Sequence, residues 1–417
     1  MTATPTLSRS LNLTQVTLYG LGNILGAGVY VLIGKVAGEA GYLAPFSFLI
    51  ASIIAGITAF SFCELSSRYP VSAGEAIYVK EGFNIPQLSL WIGLLVILTG
   101  IVSAATITKG CSGYLGVFID LPDELVIIGL LFLLCAIAIS GVAESVSIAA
   151  FITIAEISGL LLIIYVTAPA MEQLPERASE FIPTFELSSW SGVIGGSFLA
   201  FYAYVGFEDM VNLAEEVKTP RRTIPIAIIT ALGVATAIYL ILAVNSLLIL
   251  SPQQLQASQA PLADIYRTVT NSNPWFISIV SLFAVVNGAL IQIIMGSRVG
   301  YGMAKQGLVP AVLGQVNSRT QTPVLATVVI TTIIIVTALW LPIETLAKTT
   351  TYFLLILFCL VNLSLVRIKQ KEETPDHVFT VPSIVPIAGF TASLLFLGVQ
   401  TWSLLSNLWS VPPCPNL

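Results

Sequence analysis

The sequence predicts an all-α integral membrane protein built from two inverted halves of five spans each, with an eleventh span at the periphery. Three observations carry the prediction. First, 56% of the 417 residues are hydrophobic and only 9% are Asp, Glu, Lys or Arg, whereas about a quarter of a soluble domain is charged. Second, apolar runs of about twenty residues, enough to cross roughly 30 Å of hydrocarbon, recur along the whole chain. Third, two of those runs are interrupted by glycine, at Gly26-Ala27-Gly28 and around Ala203-Tyr204-Val205-Gly206. With a mean hydropathy of +0.92, no soluble domain fits between the spans, and residues 1–417 read as one polytopic domain.

In order, the first five spans fall at about 16–38, 43–64, 86–109, 125–141 and 147–168, within a first half covering 14–170. The next five fall at 191–215, 225–250, 275–304, 324–341 and 344–366, within 188–367, and the extra span at 385–409, within 384–409. The two interruptions lie in spans one and six, which sets the five-plus-five division and makes both spans discontinuous. An odd number of spans per half starts the second half from the opposite side of the membrane. The symmetry rests on topology and break positions, without a residue-by-residue repeat. Residues 1–14 hold one Arg and no apolar stretch, so no cleaved signal peptide is expected and span one serves for insertion. Between spans seven and eight, Ser251-Pro252 ends a helix and 261–270 reads as a short surface helix.

Basic residues set the orientation. With a cytoplasmic amino terminus, twelve of the seventeen Lys and Arg fall on the inner side: Arg9, Arg68, Lys80, Lys218, Arg221, Arg222, Arg298, Lys305, Arg319, Arg367, Lys369 and Lys371. That bias places the amino terminus inside and the carboxyl terminus outside a plasma (inner) membrane. A formal net charge of −5 gives no reason to expect nucleic acid as a partner. The five cysteines show no metal-type spacing; Cys111 and Cys414 share the outer side, where one bridge or two free thiols are both open. An intramembrane enzyme would need a nucleophile and base or a set of metal ligands. One histidine, His377 in a polar loop, and no clustered acids supply neither, so no enzyme activity, metal or cofactor is expected.

An interrupted helix leaves backbone N–H and C=O groups that hydrocarbon cannot satisfy, so it survives only where it lines a cavity. Matching breaks in two halves mark the site of a secondary transporter. In span one, the run from Tyr19 to Gly34 contains Gly20, Gly22, Gly26 and Gly28. A second half-helix starting near Ala27 would offer free N–H groups to a carboxylate; the other reading of these glycines is close helix packing. In span six, an unwound Tyr202–Gly206 would present carbonyls suited to an ammonium group. Donors on one segment and acceptors on the other fit a zwitterion, and hence an amino acid.

At these residues the chain resembles an amino acid permease of the amino acid/polyamine/organocation superfamily, closest to the cationic amino acid transporter branch. The resemblance is carried by Gly26-Ala-Gly-Val-Tyr-Val-Leu-Ile-Gly34, by Tyr202-Ala-Tyr-Val-Gly-Phe-Glu208 running into Ala214-Glu-Glu-Val-Lys-Thr-Pro220, and by Ile224-Pro-Ile-Ala227. Further matches are Glu64-Leu-Ser-Ser-Arg-Tyr-Pro70 with Ala73-Gly-Glu75, and Met303-Ala-Lys-Gln-Gly-Leu-Val-Pro310 with Thr322-Pro323. The resemblance implies a site at Gly26 in which the N–H groups of Ala27 and Gly28 hold the substrate carboxylate. The carbonyls of Ile24, Tyr202, Ala203 and Val205 would hold the amino group, and Tyr204 would be an aromatic gate, with simple packing as its other reading.

Glu156 departs from the family. It lies near the middle of span five, where many proton-coupled members carry a Lys; here Thr153-Ile-Ala-Glu156 presents the opposite charge. An intramembrane carboxylate is costly and usually functional, so Glu156 is the expected proton-coupling residue, with a cation ligand (sodium) or a structural hydrogen bond as its other readings. Asn287 and Gln292, five residues apart in span eight, do not share a helix face. Glu208 and Asp209 follow the break toward the cavity or inner gate, while Glu215, Glu216, Lys218, Arg221 and Arg222 are expected in interfacial ion pairs. The overall expectation is a secondary amino acid transporter in a lipid bilayer, proton-coupled, working by alternating access. An exchanger or facilitator, or an amino acid sensor without flux, shares every motif. Cationic or neutral cargo and oligomeric state stay open.

Overall fold

Helices account for nearly all of the described chain, because a segment in hydrocarbon must satisfy its own backbone polar groups. The computed structural model describes residues 7, 9–115, 121–183, 187–258, 260–341, 343–373 and 375–409. The helices are α1 (Leu13–Ala40), α2 (Ala44–Arg68), α3 (Gly74–Phe83), α4 (Pro86–Leu115), α5 (Asp123–Ser140), α6 (Val142–Thr167), the one-turn α7 (Leu174–Arg177) and α8 (Leu187–Tyr202). They continue with α9 (Pro220–Ile249), α10 (Pro252–Ala257), α11 (Pro261–Thr270), α12 (Trp275–Lys305), α13 (Val324–Trp340), α14 (Ile343–Lys371) and α15 (Ile384–Trp409). Among the described residues no strand occurs, and eight helical stretches are long and apolar enough to cross a membrane. The short helix expected at 261–270 is α11; Cys414 and the side chain of Cys111 lie outside the described residues.

Local sequence sets the helix ends. Asn12 caps α1 by accepting from the Gln15 N–H at 3.0 Å, and the Gln15 side chain accepts from the Asn12 N–H at 3.1 Å. Gly41 ends that helix with φ of 60°. Ser251 and Gln254 repeat the capping box at the start of α10.

The discontinuity expected in the first span does not occur: α1 runs unbroken from Leu13 to Ala40, through Gly26-Ala27-Gly28. Its glycines serve the packing role instead. A Cβ at Gly26 would stand 2.7 Å from the Ala284 carbonyl oxygen of α12. One at Gly34 would strike the Leu255 carbonyl oxygen of α10. Small residues of this kind let membrane helices approach backbone to backbone. The sixth span does break. Helix α8 stops at Tyr202, a turn covers Ala203–Gly206, and the chain resumes as the 3-10 segment Glu208–Glu216.

Helix α1 lies at the centre, against α6, α8, α9, α10 and α12; α2 packs on α8 and α9, and α4 on α12, α13 and α14. Helix α15 sits outside, on α14 and α2. Large apolar side chains such as Trp91, Phe132, Phe151, Tyr165, Trp340 and Trp402 point outward, as a lipid-facing surface requires. The side of the bundle that carries Leu11, α3 and the carboxyl ends of α2, α12 and α14 is called the N face below.

Candidate functional site

The broken sixth span meets the glycine face of α1 at the centre of the bundle. In the turn, the N–H groups of Ala203, Tyr204 and Val205 each donate three residues back, to Ala200, Phe201 and Tyr202 at 3.0, 3.0 and 3.2 Å. Gly206 takes φ of +120°, open only to glycine, and its N–H donates to Glu208 Oε2 at 2.9 Å. Glycine at 28 is required too, since a Cβ there would fall 2.4 Å from Ala203 Cα. Ile24, Gly28, Tyr202, Ala203, Tyr204 and Val205 are thus brought together and are all buried, while Ala27 and Gly28 lie inside the helix.

Tyr239 of α9, which sequence reading missed, occupies the meeting point. Its hydroxyl is placed to donate to the Ile24 carbonyl of α1 at 2.5 Å and to the Ala203 carbonyl at 2.9 Å. A phenol has one proton to give, so two carbonyls from two helices share one donor. Tyr204 packs edge-on against Tyr239, with ring centroids 5.3 Å apart. The sequence signal for Tyr239 was slight: it is the single tyrosine of span seven, which also carries Thr230, Thr236, Asn245 and Ser246.

Toward the N face, Asp209 Oδ2 accepts from Asn23 of α1 at 2.5 Å and from Gln292 of α12 at 2.7 Å. Asn23 also donates to the Gly206 carbonyl at 3.2 Å, and Gln292 to Asn23 Oδ1 at 3.2 Å. This network borders a cavity of about 10 Å³, lined by Glu208, Asp209, Gln292 and Thr99 with Val96 and Leu357. That is room for about one water.

Glu156 lies on the other flank of α1, fully buried. Its Oε1 accepts from Asn287 Nδ2 at 2.9 Å, the same amide reaches Thr153 at 3.0 Å, and Tyr30 donates to the Glu156 backbone carbonyl at 3.1 Å. Glu156 Oε2 and Asn287 Oδ1 are buried without a hydrogen-bond partner. The acid therefore sits where α1, α6 and α12 meet, apart from the Asp209 network. Asn287 and Gln292 serve these two different sites, in keeping with their different helix faces.

The N face is shut. Arg298 of α12 donates to Glu216 at 3.2 Å with both side chains fully buried, and Lys305 pairs with Glu215 at 3.4 Å. The interfacial pairing expected for Glu216 is corrected by this burial: the 3-10 segment turns it inward onto α12. Leu11 forms a parallel bridge to Val217, with its N–H on the Glu216 carbonyl and its carbonyl accepting from Lys218, both at 3.0 Å. Asn212 accepts from the Gly74 N–H at 3.1 Å and donates to Glu75 at 3.2 Å. Nearby, Glu64 Oε1 holds Arg68 at 2.7 Å and Lys369 at 2.8 Å.

Spanning helices around a broken segment with two convergent carbonyls define a multi-pass membrane protein with a small, central, polar site. A family model described as amino acid permease matches residues 11–412, and the chain belongs to that family. Among its relatives is the mitochondrial cationic amino acid transporter 3 of Arabidopsis thaliana, 28% identical over 399 residues, which are 89% of this chain and 64% of the relative. The vacuolar cationic amino acid transporter 2 of the same plant is 28% identical over 398 residues, 88% of this chain and 61% of the relative. The branched-chain amino acid permease BcaP of Bacillus subtilis (strain 168) is 25% identical over 412 residues, 92% of this chain and 86% of BcaP. The chain thus spans less than two thirds of the two plant proteins. All three relatives are named as transporters or permeases, not as enzymes.

Proposed function

We propose that the protein is a secondary transporter that moves an amino acid across the plasma membrane by alternating access. One observation carries the reading. The Ile24 and Ala203 carbonyls, from two different helices, converge on a single hydrogen-bond donor, the Tyr239 hydroxyl. A substrate ammonium is a better donor for that point, with three protons and a positive charge. Ala27 and Gly28 adjoin it on α1. For their N–H groups to reach a carboxylate, α1 must loosen there on binding, which the glycines permit.

The shut N face, read as cytoplasmic from the distribution of Lys and Arg, is one end of the cycle. In the opposite state the Arg298–Glu216 pair and the Leu11 bridge separate, and the two five-helix halves trade access around the central site. Glu156 carries coupling: its carboxyl is poised between α1 and α12 with one oxygen unpartnered, so gain and loss of a proton there bears on the helices that must move. Proton is the proposed coupling ion, sodium the alternative.

The test is uptake of radiolabelled amino acids into proteoliposomes with and without an inward proton gradient, comparing wild type with Glu156→Gln. Saturable uptake stimulated by the gradient in wild type alone supports the reading. Binding without flux in any condition identifies a sensor, and gradient-independent flux an exchanger or facilitator.

A further inference from the structure

Among the buried acids that the proposed cycle does not use, Glu75 stands apart from the central site. Glu75, in the first turn of α3, is fully buried outside the spanning helices, at the seam between α3 and the 3-10 segment Glu208–Glu216. One carboxyl oxygen accepts from Asn212 at 3.2 Å, and the other, Oε2, is sealed from solvent without a hydrogen-bond partner. Asn212 completes the clasp by accepting the Gly74 N–H at 3.1 Å. The seam is tight on its far side as well, where a Cβ at Gly302 of α12 would lie 2.7 Å from the Ser72 carbonyl oxygen.

Among the described residues no cation pairs with this carboxyl. From the 3-10 segment it faces Asp209 and Glu208, both acids, while Glu215 of the same segment is taken by Lys305 and the Ser72 N–H. From α12, Lys305 and Arg298 are bound to Glu215 and Glu216. From α2, Cys63 is a thiol and Arg68 is bound to Glu64. On α3 itself Tyr78 is a phenol, and Lys80 reaches Gln306. From α14, Arg367 stacks on Phe83 and Lys371 bonds the Gly82 carbonyl, at the opposite end of α3. The one basic residue of α4, Lys109, bonds the Leu341 carbonyl. A buried carboxylate without a counter-ion is costly, whereas its protonated form is not.

We propose that Glu75 is a second proton-binding site, distinct from Glu156, which locks the N-face gate: its carboxyl holds a proton while Asn212 seals it, and releases that proton to water when the 3-10 segment lifts away. This rests on the reading that the N face opens, but on no particular cargo. Burial pushes the Glu75 carboxyl from 4.5 up to about 8, with the charge of Asp209 adding to the rise, and with its own backbone N–H and Asn212 opposing it. The closed gate therefore binds the proton more tightly than the open, hydrated one. Closure is favoured fully below the open-state value and loses its advantage as pH rises, at up to about tenfold in the opening equilibrium per pH unit, until the closed-state value is reached. The window is about 4.5 to about 8.

The experiment is hydrogen exchange followed by mass spectrometry on the purified full chain in nanodiscs, reading protection factors for residues 208–216 across that window. Protection in wild type should fall with pH, by up to about tenfold per unit. Glu75→Gln, which imitates the protonated acid, should lose that slope while keeping its protection at low pH, and Glu75→Asp should keep the slope. The same slope in Glu75→Gln as in wild type overturns the lock and leaves the transporter reading intact; absence of opening in both proteins at every pH overturns the lock and the gate together. Infrared difference spectra need no gate motion. A protonated carboxylic C=O band that titrates in wild type and is missing from Glu75→Gln supports the site, and identical spectra overturn it.

Discussion

Replacing Tyr239 by Phe removes a single oxygen from the centre of the protein. In the structure that oxygen bridges the Ile24 and Ala203 carbonyls at 2.5 and 2.9 Å. A net hydrogen bond contributes about 1 kcal/mol, and a buried acceptor left unsatisfied costs about 1–3 kcal/mol. The empty variant should therefore be less stable by about 1–3 kcal/mol. If the substrate ammonium takes over the same carbonyls, the bound state no longer needs the hydroxyl, and the cost of displacing it vanishes from binding. Affinity should then rise, by about 1–2 kcal/mol, or roughly 5–30-fold in Kd. Isothermal titration with an amino acid that wild type binds, together with thermal unfolding at zero and saturating ligand, measures both effects. The ligand-induced rise in Tm should be larger in the variant. A variant that unfolds earlier yet binds no more tightly, or more weakly, would show that the hydroxyl does not stand in the ammonium position.

Glu156→Gln retains the hydrogen bond with Asn287 but exchanges no proton, so amino acid binding should persist while the pH dependence of uptake flattens; an unchanged pH profile would return Glu156 to a structural role. Gly28→Val drives a side chain into Ala203, 2.4 Å from where its Cβ would stand, and should abolish binding in titrations of any protein recovered. Arg298→Met strands Glu216 in a fully buried position and should lower stability by about 3–5 kcal/mol, whereas Arg298→Met with Glu216→Met should recover most of it; denaturation of the three proteins reads the difference. If the gate depends on the charges themselves, the double variant should refold its stability yet transport poorly.

What was legible in the sequence depended on range. Helix content follows from hydropathy alone, and the end of α9 and the short α11 from Ser251-Pro252 and from the stretch 261–270, because such signals act within a few residues; the capping box that Ser251 forms with Gln254 to start α10 was not read. The break at Ala203–Gly206 was readable from the glycine that interrupts the apolar run, and the structure puts a turn there, with Gly206 at φ of +120°. The same reasoning failed for α1. Gly26 and Gly28 permit unwinding and close packing equally, and only the facing backbone of Ala284 and Ala203 decides between them. Tyr239 and Asn23 were unreadable as site residues for a related reason: their partners lie 36 and 186 residues away. Glu216 was misjudged because its neighbours in sequence are charged, while its partner Arg298 comes from another helix. Among the site residues, Glu156 stood out since any acid in mid-membrane does.

The bridge between Leu11 and Val217 gives the segment ahead of the first helix an unexpected weight. Both backbone groups of Leu11 are engaged there, so the leading edge of the chain is stitched to a strip of backbone that follows the broken helix two hundred residues later. Motion of one strip drags the other, which turns two hinges into one. A chain shortened to start at Asn12 would still own every spanning helix and its first helix cap, and should reach the membrane in normal amounts. Its defect would surface elsewhere, as a leak in which cargo slips through in a state that ought to be sealed.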